Sequence, residues 1–86
     1  MKLAELSRQS QDFEKIRGVR PTIVHIGDGD AKLLSEEIYE IILPKKRPPS
    51  ADHTYRSLLS GQAMVAGIKV IVDQHRAADN FYFRTQ

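Results

Sequence analysis

Eighty-six residues make one small domain and not two, and a chain of that size buries only about 60–65% of the surface it exposes when unfolded. Hydrophobic and charged contents of 41% and 28% exclude wholesale disorder, and a net charge of +2 is too small to mark a nucleic-acid binder by total charge alone. The lack of cysteine excludes disulfides and thiolate metal sites and favours an intracellular origin, so stability has to come from packing or assembly.

The first element is a helix. Leu3, Leu6, Phe13 and Ile16 fall on one side of a 3.6-residue repeat and Arg8, Asp12 and Glu14 on the other. Gly18 is its expected stop, and Pro21 prevents continuation. The charges at Lys2, Glu5, Arg8, Asp12, Glu14 and Lys15 exclude the unbroken apolar region of a signal peptide. No stretch approaches the roughly 20 apolar residues of a membrane span. The expectation is a soluble protein with no membrane partner.

Thr22–Ile26 is β-branched and ends at Gly27-Asp28-Gly29, which fits a short strand or an extended connector. Asp30 is positioned to cap a second helix over 31–43, with Leu34, Ile38, Ile41 and Ile42 as its buried stripe and Glu36, Glu37 and Glu40 on the opposite side. Pro44 ends that helix. Residues 44–50 form a Pro-rich basic connector. Ser50 or Asp52 can cap a third helix, the longest, carried through Leu58, Val65, Ile68 and Val72 with Leu59 and Ile71 alongside. Ile68–Val72 is β-branched enough to compete as a strand, but the seven-residue spacing Leu58, Val65, Val72 favours helix. The aromatic end 80–86 either folds back beside Thr22–Ile26 as a second strand, Phe81–Thr85, or docks on a neighbouring subunit through Phe81, Tyr82 and Phe83.

Catalytic and metal chemistry finds little support in the residue pattern. Gly27-Asp28-Gly29-Asp30 stands where phosphate loops occur, yet its two carboxylates repel a phosphate and the Gly-Lys-Ser/Thr ending is missing. As a calcium loop it fails at Leu33 and Tyr39, which replace the required Gly and Glu. His25, His53 and His75 lack the three- or four-residue spacing of paired ligands, apart from Asp79 four residues after His75, which reads as a surface charge pair. Ser60-Gly61 lacks the nucleophile-elbow pattern, so no catalytic residue, metal or cofactor is assigned and an enzyme is not expected.

The strongest local charge feature is Lys45-Lys46-Arg47, held extended by flanking prolines and able to contact successive phosphates, with Arg56 as a fourth cation.

Tyr55-Arg56-Ser57-Leu58-Leu59-Ser60-Gly61-Gln62, leading into the expected amphipathic helix through Val72, resembles the Y-R-x-L-x-G-Q pattern of small helical proteins in tailed-bacteriophage head and packaging gene clusters. The resemblance covers 33–76 and implies a non-enzymatic virion or assembly component, located in the host cytoplasm or the virion.

The expected architecture is mainly α: one domain over 1–86, an antiparallel helical hairpin with a short N-terminal helix across it, and at most a two-stranded β element. The leading expected role is a homo-oligomeric or partner-binding assembly protein. A nucleic-acid binder using the basic connector is the alternative, and a phage-encoded inhibitor of a host enzyme is a third.

Overall fold

The structure, a computed structural model, describes residues 1–41 and 51–85. In chain order these form α1 (Lys2–Arg17), β1 (Ile23–Gly27), α2 (Asp28–Ile41), α3 (Ala51–Leu59), β2 (Met64–Val65), β3 (Ile68–Asp73) and β4 (Tyr82–Arg84). The expected connector 44–50, with Lys45, Lys46 and Arg47, and the end of the second helix lie outside the described residues.

The mainly helical expectation is overturned. The strands form one mixed sheet in the order β2-β3-β1-β4, so the fold is α+β. β1 and β3 are parallel at the centre, with Val24 opposite Val70 and Ile26 opposite Val72. β4 runs antiparallel to β1 with Phe83 opposite Val24, and β2 runs antiparallel to β3. The neighbour relation considered for Thr22–Ile26 and Phe81–Thr85 is present as one edge of this larger sheet.

The long third helix fails for a backbone reason. After Leu59 the chain turns through Gly61 at φ 75°, and between Val65 and Ile68 both Ala66 (φ 53°) and Gly67 (φ 79°) are left-handed. Two consecutive positive φ values are those of a two-residue hairpin turn whose twist matches its strands, and no α-helix can pass through them. The seven-residue spacing of Leu58, Val65 and Val72 is therefore a coincidence of one helical and two strand positions. Beyond the turn, the β-branched Ile68–Asp73 pairs on both sides.

Alternation divides the sheet into two faces. Val24, Ile26, Ile68, Val70, Val65 and Phe83 point to one side, where they form the core with Leu6 of α1, Ala31 and Leu34 of α2, and Leu58 of α3. Thus all three described helices pack on the same face. Tyr55 and Val72 flank this core, and α2 and α3 pack against each other.

The end of α1 follows its sequence signal: Gly18 is left-handed at φ 74° and donates its N–H to Glu14 O at 2.8 Å. Its stripe is shorter than expected, since Leu6 is buried, Leu3 and Phe13 pack on the core, and Ile16 is 81% exposed. The α1 N-terminus is capped from α2. Glu37 accepts the backbone N–H groups of Lys2 at 2.7 Å and Leu3 at 2.9 Å, so this carboxylate satisfies two free helix donors.

α2 begins directly at Asp28, which places Asp30 inside the first turn rather than before it. Asp30 is buried, accepts the Asp79 N–H at 2.8 Å, and has Lys2 Nζ 2.9 Å from Oδ1. That ion pair offsets the burial of Oδ1, which has no hydrogen bond of good geometry. Asp30 therefore ties α1, α2 and the 74–81 loop together. Within the expected stripe of this helix, Leu34 is buried and Ile38 packs on the core, whereas Ile41 is exposed.

Candidate functional site

The second face of the sheet carries the residues of opposite phase, and the strand register arranges them in rows. Met64, Lys69, Ile23 and Arg84 form the first, Ile71, His25 and Tyr82 the second, and Asp73 and Gly27 the third. Lys69, Arg84, Met64 and Tyr82 are exposed there, and His25, Ile71 and Asp73 are half-buried. Ile23 and Gly27 are buried.

A continuous hydrogen-bonded chain crosses this face. Arg84 Nε stands 2.9 Å from His25 Nε2, and His25 Nδ1 stands 3.1 Å from Asp73 Oδ2. The same Asp73 oxygen accepts from Arg76 Nε at 3.2 Å, and Arg76 Nη1 donates to Asn80 Oδ1 at 3.2 Å. Because an arginine can only donate, Nε2 must be the acceptor and Nδ1 the protonated nitrogen, which selects one neutral tautomer of His25. The Arg76 guanidinium also lies 5.7 Å from the centre of the Tyr82 ring, and His25 lies 5.8 Å from that ring, tilted by 44°.

The loop that carries Arg76 is held close by Gly27. A Cβ at that position would stand 2.4 Å from the Arg76 carbonyl oxygen, so only glycine lets the loop settle over the carboxyl ends of β1 and β3. Asp73 and Arg76 thus stand at the carboxyl ends of β1 and β3, whereas Lys69 and Arg84 flank Ile23 at the amino end of β1.

A histidine backed by a carboxylate is the arrangement that orients a general base. Here the nitrogen that would take a proton from a substrate is held by Arg84, so the chain of bonds fixes two guanidinium groups rather than freeing a base. Three cations, Lys69, Arg76 and Arg84, share this face with Asp73, whose carboxylate already serves His25 and Arg76. Such a surface suits an anion.

The sequence-predicted site residues are scattered. Arg56 is exposed on α3, on the helical side of the sheet, and pairs with Asp52 at 3.0 Å. Of the three aromatics, Phe83 is buried in the core, 6.1 Å from Phe13, and Phe81 packs edge-on against Phe83; only Tyr82 is presented to solvent. Among the metal candidates, His25 meets Asp73, whereas Asp79 pairs with Lys2 rather than with His75, since 75–79 is loop and not helix. Among the described residues no three His, Asp or Glu side chains converge to hold a metal ion.

Sequence reasoning missed the partnership of His25, Asp73, Arg76 and Arg84. Its signal was period-two alternation, Val24-His25-Ile26 and Phe81-Tyr82-Phe83-Arg84, which sets His25, Tyr82 and Arg84 opposite the core-facing residues. Compared with protein-family models, characterised proteins and solved structures, the chain matches none. No helix among the described residues is long and apolar enough to cross a membrane.

Proposed function

We propose that this chain is a non-enzymatic binding component whose working surface is the open face of the sheet, and that the face takes a polyanionic partner. The observation that carries this reading is the row containing exposed Lys69 and Arg84, with Arg76 further along the face beside Tyr82 and Asp73, a carboxylate already engaged in two contacts. Combined with the resemblance to phage head and packaging proteins, it describes an assembly factor that handles nucleic acid in the host cell or the virion. The basic connector 44–50, outside the described residues, is a separate candidate for phosphate contact through Lys45, Lys46 and Arg47.

A second reading keeps the assembly role and makes the partner a protein or another copy of this chain. It is supported by the central pair β1 and β3, because parallel strands are normally covered on both faces. Phe81 and Phe83 pack against the core of their own chain, so a tail-mediated form of this assembly would rest on Tyr82.

The two readings separate in one experiment. Binding to heparin and to labelled DNA is measured from about 50 to 200 mM salt, with sedimentation velocity on the same samples. The polyanion reading expects affinity that falls with salt and falls further in the Lys69→Ala/Arg84→Ala double variant. Absence of binding at low salt, or equal binding by the double variant, would overturn it. Self-association lost in the double variant, without polyanion binding, would favour the second reading.

A further inference from the structure

We infer that the partner on this face is a single-stranded nucleic acid, with a base stacked on Tyr82 and its flanking phosphates on Arg84 and Lys69. This rests on the polyanion reading above and adds to it the strandedness of the ligand and the residue that detects it.

The inference starts from Tyr82 itself. It is 52% exposed although both sequence neighbours, Phe81 and Phe83, are packed against the core. A tyrosine in a flexible tail would lose much of its stacking energy to ordering. Tyr82 is already ordered, because β4 is paired to β1 directly opposite His25, and the ring rests beside His25 and under the Arg76 guanidinium. Pre-ordering of this kind lowers the cost of binding.

The cations stand where a backbone passing over that ring would run. Arg84 is two residues along β4 on the same face, about 7 Å away by strand rise, and Lys69 lies two strands across in the same row as Arg84, about 10 Å from it by strand spacing. An aromatic platform bordered by cations is the arrangement that binds unpaired strands, since every base has a π-face to offer. A duplex hides those faces in its stack and can use only the charges, and a short sheet face of this kind inserts no helix or ribbon into a groove. An acidic protein surface would also meet the charges but has no specific use for the exposed ring.

The test compares an unpaired oligonucleotide of about 12 nucleotides, a length within the span of one small binding face, with its duplex, by fluorescence anisotropy on the full chain. The single strand should bind more tightly. Tyr82→Ala should weaken it by about five- to hundredfold and leave duplex binding unchanged, while Tyr82→Phe keeps the affinity. If Tyr82→Ala fails to fold by circular dichroism, Tyr82→Leu, a strand-compatible side chain without a π-face, takes its place. Equal affinity for both ligands, or an unchanged single-strand affinity in both Tyr82 variants, would overturn the inference while leaving the electrostatic reading standing. Failure to bind heparin or either oligonucleotide would remove both. Association with a protein or with itself that is lost in Tyr82→Ala, without oligonucleotide binding, would also overturn it.

Discussion

His25 Nδ1 and Asp73 Oδ2 stand 3.1 Å apart across the parallel pair of strands although 48 residues separate them in the chain. One carboxylate oxygen serves both this imidazole and the Arg76 guanidinium, so Asp73 joins the centre of the sheet to the loop that follows it. Asp73→Ala should therefore lower stability by about 1–2 kcal/mol, the range for losing hydrogen bonds to a charged, half-exposed acceptor. Urea unfolding measures this, and long-range nitrogen NMR should show His25 protonated at Nδ1 in the parent and still so in Asp73→Ala, where Arg84 continues to donate to Nε2, with the preference released only when Arg84→Ala is added. An unchanged midpoint in Asp73→Ala would show that the contact does not order the site.

Gly27 and Gly29 are two residues apart and should respond oppositely to the same substitution. Gly27→Ala drives a Cβ into the backbone carbonyl of Arg76, and relief requires the loop to move, at a cost of about 1–3 kcal/mol. Gly29→Ala meets nothing within 4 Å and lies in the first turn of α2, where alanine is favoured by up to about 1 kcal/mol. Thermal unfolding of the two variants should move in opposite directions, and a tolerated Gly27→Ala would disprove the close approach.

The turn between β2 and β3 invites improvement. Ala66 holds φ at 53°, a conformation that costs an alanine about 1–2 kcal/mol and an asparagine less. Ala66→Asn creates the Asn-Gly pair preferred in this turn and should raise stability by about 0.5–1 kcal/mol. Gly67→Val, with φ at 79°, should lower it. Loss of stability in Ala66→Asn would argue against the hairpin.

Tyr55 of α3 donates its hydroxyl to Asp28 at the start of α2. That hydrogen bond, followed by partial burial and the Asp28 charge, raises the phenol above its ordinary value of 10.0. A raised value means that the contact contributes stability below pH 10.0 and that this contribution is lost as pH rises through the folded-state value. Absorbance titration of the folded protein should contain a late tyrosinate component that disappears in Tyr55→Phe. A titration curve that merely loses one third of its amplitude, with no change of shape, would contradict the contact.

Strand formation was partly legible in the sequence, but the open face was not. Thr22–Ile26, with Ile23, Val24 and Ile26 all apolar, alternates too weakly to show which face is buried, whereas the β-branched Ile68–Val72 already competes as a strand. What outweighed it was the seven-residue spacing of Leu58, Val65 and Val72. Ala66-Gly67 was the contrary signal, a two-residue turn between apolar runs, but Ala at the first turn position is rare enough to hide it.

By itself the sequence determined the local stops and starts: the glycine end of α1, the strand after Pro21, the helix opening at the acidic Gly27–Asp30 stretch, and the centre of each apolar stripe at Leu6, Leu34 and Leu58, though not its ends at Ile16 and Ile41. These depend on backbone preferences that act within a few residues. Only the tertiary structure decided that Phe83 belongs to the core and Tyr82 to the surface, that Glu37 caps α1, and that His25, Asp73, Arg76 and Arg84 share one chain of hydrogen bonds. Those relations follow from strand order and register, which are set by pairings between segments about 50 residues apart, and no local periodicity encodes which distant strand a given strand will meet.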